Sequence, residues 1–330
     1  MRITLKNFII PSIPLAVFLV GSCSVLWMSA YFGTQFMSAS NQVSSGVDSF
    51  RSLFSPDILM ENIVSMGFTL LNAFLIAQIN NRFTVIRTRT FLPILIFLLL
   101  MATWSQTHIA VSSHLAVTLF IFAIFYFFSM SRDRKASEQA FMGSFLISIS
   151  SILINQLAFL IPVCWIGFII FQSFSLRTFL ASVFGALTPW ILFLSASYLI
   201  NPNVNFNQVF ILNLNFESNF SAFSIAEIIY SVGISVIMII SIFGMYSISN
   251  SDAINTRNKL NFLVFLLISL SVLSFIFHNQ FISFLPFIAL VYAMLISHPL
   301  TLKQNNFYGI LFIIFCLLNV SFVISKYFIF

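Results

Sequence analysis

Eleven apolar runs, each long enough or nearly long enough to cross a lipid bilayer, follow one another along the chain, at about 7–29, 58–79, 91–108, 111–130, 140–155, 158–173, 178–200, 225–247, 261–278, 281–297 and 307–325. A hydrocarbon core of about 30 Å takes roughly 20 apolar residues of helix per crossing. Lipid offers the backbone no hydrogen-bond partner, so a spanning segment is either a helix or a strand in a closed barrel. The runs lack the alternation of barrel strands. The expected fold class is therefore all-α, a polytopic transmembrane bundle of about 11 spans forming one integral membrane domain over 1–330. Charge agrees, because 14 cations and 8 acids in 330 residues, 7% of the chain, cannot build the water-solvated surface of a soluble domain, which has about 25%.

Orientation follows from the cations. With the N-terminus inside, Arg2, Lys6, Arg82, Arg87, Arg89, Arg132, Arg134, Lys135, Arg177, Arg257, Lys259 and Lys303 fall on the cytoplasmic side, and Arg51 and Lys326 fall outside. Twelve against two is the asymmetry that inner loops carry. The ambiguous stretch is 140–173, which reads as two short helices or one long bent one. A single crossing there would invert all later spans and leave nine cations inside and five outside. The hairpin, with the N-terminus in and the C-terminus out, fits better.

An internal echo points the same way. Asn155-Gln156 and Asn279-Gln280 each begin a short apolar helix, and Pro162 and Pro286 follow at the same offset. Both pairs sit at expected outer turns, and the echo admits two readings, common ancestry or two solutions to one turn. At the N-terminus, a basic start and an apolar run lead to Gly21-Ser22-Cys23, in the manner of a lipoprotein cleavage site. The apolar character continues through Ser24-Val25-Leu26-Trp27-Met28, so an uncleaved first helix is expected. Cys23, Cys164 and Cys316 lack metal or redox spacing and read as buried small side chains.

Candidate chemistry lies outside. None of the ionisable side chains is expected mid-span, which argues against a proton relay. Asp48, Asp57, Glu61, Glu217 and Glu227 lie in or beside outer loops, and the two longest loops, 30–57 and 201–224, are both outside. Connections of that length are uncommon without a role. Asp48, Asp57 and Glu61 are therefore the candidate catalytic acids, since a carboxylate near a low-dielectric boundary can work as a general base. The competing reading is that these acids merely keep the loops wet. Asn72, Ser148, Ser150 and Ser151 lie deep and read as helix ties, and Gln78 lies at an inner helix end. His108, His114 and His278 fall near the outer interface, without a metal-ligand spacing; His298 lies at an inner helix end. Trp27 and Trp104 read as interfacial belt residues, and Trp165 and Trp190 as packing. No nucleotide-binding or nucleophile-elbow motif occurs. The net charge of +6 is spread over inner loops and reports orientation rather than nucleic-acid affinity. No cofactor or metal is indicated.

Three stretches carry a resemblance: Arg134 to Ser151 with Phe141-Met142-Gly143-Ser144-Phe145, then Phe171-Gln172-Ser173-Phe174 with Arg177, then Gly185-Ala186-Leu187-Thr188-Pro189-Trp190. They resemble an uncharacterised family of polytopic inner-membrane proteins of Bacteroidota, over residues from about 70 to 195. The resemblance implies a cell-envelope membrane protein and no particular activity. The long first outer loop and the helix near Phe281 with Leu285-Pro286-Phe287-Ile288-Ala289 also resemble, more distantly, the GT-C glycosyltransferases, which use polyprenyl-phosphate-linked sugars at the outer face. Those enzymes carry an acid just after the first span, whereas none occurs here between Trp27 and Asp48. They also pair the carrier phosphate with cations, whereas outside there is only Arg51 before Lys326. The resemblance thus implies Arg51 as the candidate phosphate-binding residue, with Asp48 and Arg51 as a degenerate substitute.

The expected function is that of a multi-pass inner-membrane protein acting as a partner or scaffold in envelope biogenesis, non-catalytic or of lost catalysis. Membrane lipid, polyprenyl phosphate or another envelope membrane protein are the candidate partners. The alternatives are a GT-C-like transferase, and a lipid or solute translocator with a groove lined by Asn72, Gln78 and the Ser-rich fifth span.

Overall fold

The computed structural model describes residues 13–32, 58–133, 135–200, 224–249, 251–303 and 305–328. Among these residues there are eleven α-helices and no strand. They are α1 Ile13–Phe32, α2 Ile58–Phe83, α3 Leu92–Thr103, α4 Val111–Ser129, α5 Ser137–Leu153, α6 Leu160–Ile170, α7 Leu176–Ile200, α8 Ile225–Ser249, α9 Ile254–Ile276, α10 Phe281–Leu302 and α11 Asn306–Phe328. Seven of them, α2, α4 and α7 to α11, are long and apolar enough to cross a membrane. α3 and α6, with 12 and 11 residues, reach only about 18 Å at 1.5 Å per residue.

The 140–173 region is two helices. α5 ends where Ile154 turns extended, with φ −137° and ψ 96°. A 3-10 turn, Asn155–Phe159, then leads into α6. The echo recurs in the backbone, because a second 3-10 turn, His278–Gln280, precedes α10. The two turns meet: Phe159 stacks on Phe277 with ring centroids 5.8 Å apart. A third 3-10 turn, Ser105–Ile109, joins α3 to α4.

Helices alternate in direction, and contacts between connections define two ends. At one end the α2–α3 connection meets the α8–α9 connection through Arg87 and Asp252, and the Arg132 N–H donates to the Phe171 carbonyl. At the other, the end of α1 meets the start of α2 and the α3–α4 turn. There too the end of α3 meets the starts of α8 and α10 and the end of α11, through Trp104 against Tyr230, Phe281 and Phe322. Every cation from Arg82 to Lys303 among the described residues belongs to the first end.

α10 is the hub. It packs against α3, α4, α8, α9 and α11, and nearly all of it from Ser283 to Thr301 is buried, as befits a helix apolar all round. Beside it α2, α4, α5 and α7 stand in a row. α7 is the outermost, with Leu176, Phe184, Ile191, Leu192 and Leu199 all exposed, and it leans mainly on α5. Small residues permit that contact: a Cβ on Gly185 would collide with the Phe141 carbonyl. Ser148 donates to the Ala186 carbonyl at 2.5 Å, and the Trp190 indole N–H donates to Ser151 at 3.0 Å. α8 opens with a reciprocal cap in which the Ser224 N–H bonds the Glu227 carboxylate and the Glu227 N–H bonds the Ser224 hydroxyl.

Candidate functional site

α2 carries its polar residues on one side. Glu61, Asn62, Ser65, Thr69 and Asn72 recur at the short intervals that place side chains on one helix face, and all five are buried. Trp27 reaches them from α1. Its indole N–H donates to the Asn62 carbonyl at 3.2 Å, and its ring stacks on the His108 imidazole with centroids 3.7 Å apart and planes 17° from parallel. His114, on the first turn of α4, lies 6.0 Å from the same indole. The 3-10 turn thus gathers two histidines, six residues apart, around one tryptophan.

The hydrogen bonds fix the imidazoles. His108 Nε2 lies 3.2 Å from the Met101 carbonyl and His114 Nε2 lies 3.0 Å from the Thr107 carbonyl. Carbonyls only accept, so the network assigns the proton to Nε2 in both rings. His114 Nδ1 then shares the Thr69 hydroxyl, 3.2 Å away, with the Ser65 carbonyl at 2.8 Å. Asn72 closes the seam: its amide donates to the His114 carbonyl at 3.1 Å and its oxygen accepts from Thr118 at 2.7 Å. Toward the start of α2 the network is incomplete. Both amide atoms of Asn62 and the hydroxyls of Ser65 and Ser113 have no hydrogen-bond partner among the described residues, and each such buried group costs about 1–3 kcal/mol.

Glu61 stands in the first turn of α2, 4% exposed, where the helix dipole favours a carboxylate. The seam thus assembles an acid, an amide, hydroxyls and two imidazoles. Among the described residues no group of three His, Cys, Asp or Glu side chains is placed to hold a metal ion. Asp48, Arg51 and Asp57 lie outside the described residues.

On the far side of the same 3-10 turn lies a crevice of about 200 Å³ between α3, α8, α9 and α10. α8 and α9, although consecutive, both pack on α10 and scarcely touch one another. Trp104 forms the end wall, with the Tyr230 and Phe322 rings stacked beside it at 4.2 Å.

The basic end holds a clasp. Arg87 pairs with Asp252 at 2.6 Å and donates to Ser251 at 2.9 Å. The buried His298 lies 3.3 Å from the other Asp252 oxygen. Lys259 donates to the Phe83 carbonyl at 3.0 Å, and Lys303 donates to Ser247.

Several expectations from sequence need correction. Trp27 and Trp104 are core residues, 0% and 3% exposed, because their rings are taken up by His108 and by the Tyr230–Phe322 pair rather than by a membrane interface. His108 and His114 lie at the α3–α4 turn, as the sequence predicts, and are fully buried. Asn72, Gln78 and the α5 serines do not line one groove: Gln78 is exposed, while Asn72, Ser148, Ser150 and Ser151 bond across or within helices. The seam was missed by sequence reasoning, although the spacing of Glu61, Ser65, Thr69 and Asn72 was there to be read. No protein-family model, curated protein or solved structure matches the chain.

Proposed function

We propose that the chain is a multi-pass inner-membrane protein with eleven spans, its N-terminus cytoplasmic and its C-terminus outside, and that it serves as a non-catalytic partner or scaffold in cell-envelope biogenesis. The observation that carries the scaffold reading is how the intramembrane polarity is used. Asn72, Thr118, Ser148, Ser150 and Ser151 tie α2 to α4, α4 to α5 and α5 to α7, so the deep polar groups hold a fixed bundle together instead of lining a path. Such ties are worth about 0.6 kcal/mol each in a membrane, and their number makes the row rigid.

A second reading, a transferase working at the outer face on a polyprenyl-phosphate-linked sugar, is favoured by one observation. Glu61 is buried next to Asn62, whose carbonyl accepts from the Trp27 indole that stacks on His108. A phosphate there would need a cation, and Arg51 is the candidate.

The two readings separate on one experiment. The protein is purified in native lipid and analysed by mass spectrometry, and Asp48→Ala, Asp57→Ala and Glu61→Gln are tested for loss of surface glycan at normal protein levels. The scaffold reading expects a stoichiometric protein partner and glycan unchanged by all three substitutions. Retained polyprenyl phosphate that disappears in Arg51→Ala, together with glycan loss in an acid variant, overturns it in favour of the transferase.

A further inference from the structure

The crevice between α3, α8, α9 and α10 is walled mostly by apolar side chains. Its walls are Met101, Trp104, Ile234, Leu285, Ile288 and Tyr292, and no lining residue is charged. Hydroxyls also line it, yet five of the six are already donated elsewhere. Tyr230 donates to Asn319 at 2.9 Å, Tyr292 to the Ile234 carbonyl at 3.1 Å, Ser231 to the Glu227 carbonyl at 2.8 Å, Ser235 to the Ser231 carbonyl at 2.8 Å and Ser274 to the Ser271 carbonyl at 2.8 Å. The space therefore offers little to a polar ligand and much to a hydrocarbon.

Its place and its mouth decide what hydrocarbon. The crevice sits toward the end where α3 and α9 finish and α8 and α10 begin, the end opposite the basic clasp. It opens where α8 and α9 splay, at Ser235 and Ser271, both exposed. The flanking faces of the same helices present Val232, Val236, Ile268 and Val272 outward, the apolar surface that a membrane helix turns to lipid. A ligand entering there comes from the bilayer interior, whose bulk is acyl chain. With no cation in the lining, the site holds a chain and leaves the phosphate headgroup at the interface.

We propose that this crevice binds one acyl chain of a phospholipid in the outer-facing half of the membrane. The chain lies against Trp104 and Met101, whose carbonyls receive Thr107 at 2.7 Å and His108 at 3.2 Å, so the lipid shares a wall with the polar seam. The inference rests on the orientation proposed above, which puts this end of α8 to α10 outside, and does not depend on the scaffold reading.

The test uses the full-length protein in vesicles of phosphatidylethanolamine and phosphatidylglycerol containing a phosphatidylethanolamine with a photoactivatable group midway along one acyl chain. After illumination, labelled residues are mapped by mass spectrometry. Labelling at Ile234, Leu285 and Ile288 should exceed that at Phe184 and Ile191, which face outward on α7, by about tenfold, the ratio that 1.4 kcal/mol of preference produces. Ser235→Phe and Ser271→Phe, substitutions at exposed positions, should abolish the excess while labelling at Phe184 stays constant and reports a folded bundle. In the unaltered protein, excess unlabelled phospholipid should compete at the crevice more steeply than on α7. Equal labelling at both places, insensitive to the plugs and to competition, overturns the proposal, and so does recovery of a stoichiometric isoprenoid lipid that displaces the probe.

Discussion

Gly185 lies at the closest approach of α5 and α7, and its partner there is backbone. A methyl group at this position meets the Phe141 carbonyl, which cannot swing aside as a side chain can. Gly185→Ala should therefore destabilise by about 1–3 kcal/mol, the usual cost of overpacking, visible as a lower midpoint of thermal unfolding in detergent. Gly143→Ala meets the Phe127 ring instead, which is itself buried against Phe168 and Phe262, and should cost a similar amount. The Trp27–His108 pair makes a second prediction. A double-mutant cycle over Trp27→Ala and His108→Ala should show coupling of about 0.5–1.5 kcal/mol, whereas two residues merely resting at an interface would be additive. These residues mark the boundary of what the sequence discloses. Tryptophan at the end of an apolar run is the ordinary signature of an interfacial belt, and nothing local to Trp27 reveals that an imidazole 81 positions later in the chain will cover it.

Elements were more legible than residues. Each apolar run became a helix because lipid leaves a backbone no other economical state, and even the short break at 155 was marked by amides that suit a turn. Faces were not legible, since helices apolar nearly all round give no direction for burial. The exception is α2, whose polar stripe names the side that packs. The segment from Met101 to Ala110 illustrates how a turn organises its neighbours: its carbonyls hold both histidines, one side of it lines the crevice, and the other covers α2. Among single substitutions within the turn, Thr107→Val should therefore be felt on both sides. The Thr107 hydroxyl bonds the Trp104 carbonyl at 2.7 Å, and its loss should cost about 0.6 kcal/mol and shift the emission of Trp104 as well as stability.

For the whole molecule, the clasp and the charge distribution give tests of sidedness and assembly. A cysteine placed at Lys135 should react with an impermeant thiol reagent only in inverted vesicles, and one at Ser224 only in intact cells; the reverse pattern would invert the orientation. Within the clasp, the side chain of Arg87 is 40% exposed while that of Asp252 is fully buried. Removing the arginine leaves a buried carboxylate with only the His298 imidazole beside it, and removing the carboxylate leaves a guanidinium that water can reach. Arg87→Ala should therefore lower stability by about 2–4 kcal/mol, more than Asp252→Asn, in keeping with the cost of an unpaired buried charge reduced for the exposed partner.

The clasp also fixes an order of events during synthesis. Its two halves, Arg87 and Asp252 with Ser251, are separated by 164 residues at the Arg87–Ser251 bond, so the α2–α3 connection is synthesised long before its counterpart leaves the ribosome. Until then the α2–α3 connection waits in water with its arginine unmatched and the hub helix, α10, not yet made. The N-terminal third is therefore a client awaiting completion. A ribosome stalled before residue 251 would release a chain whose helices are inserted but whose bundle has no centre, the species a membrane quality-control protease should recognise first.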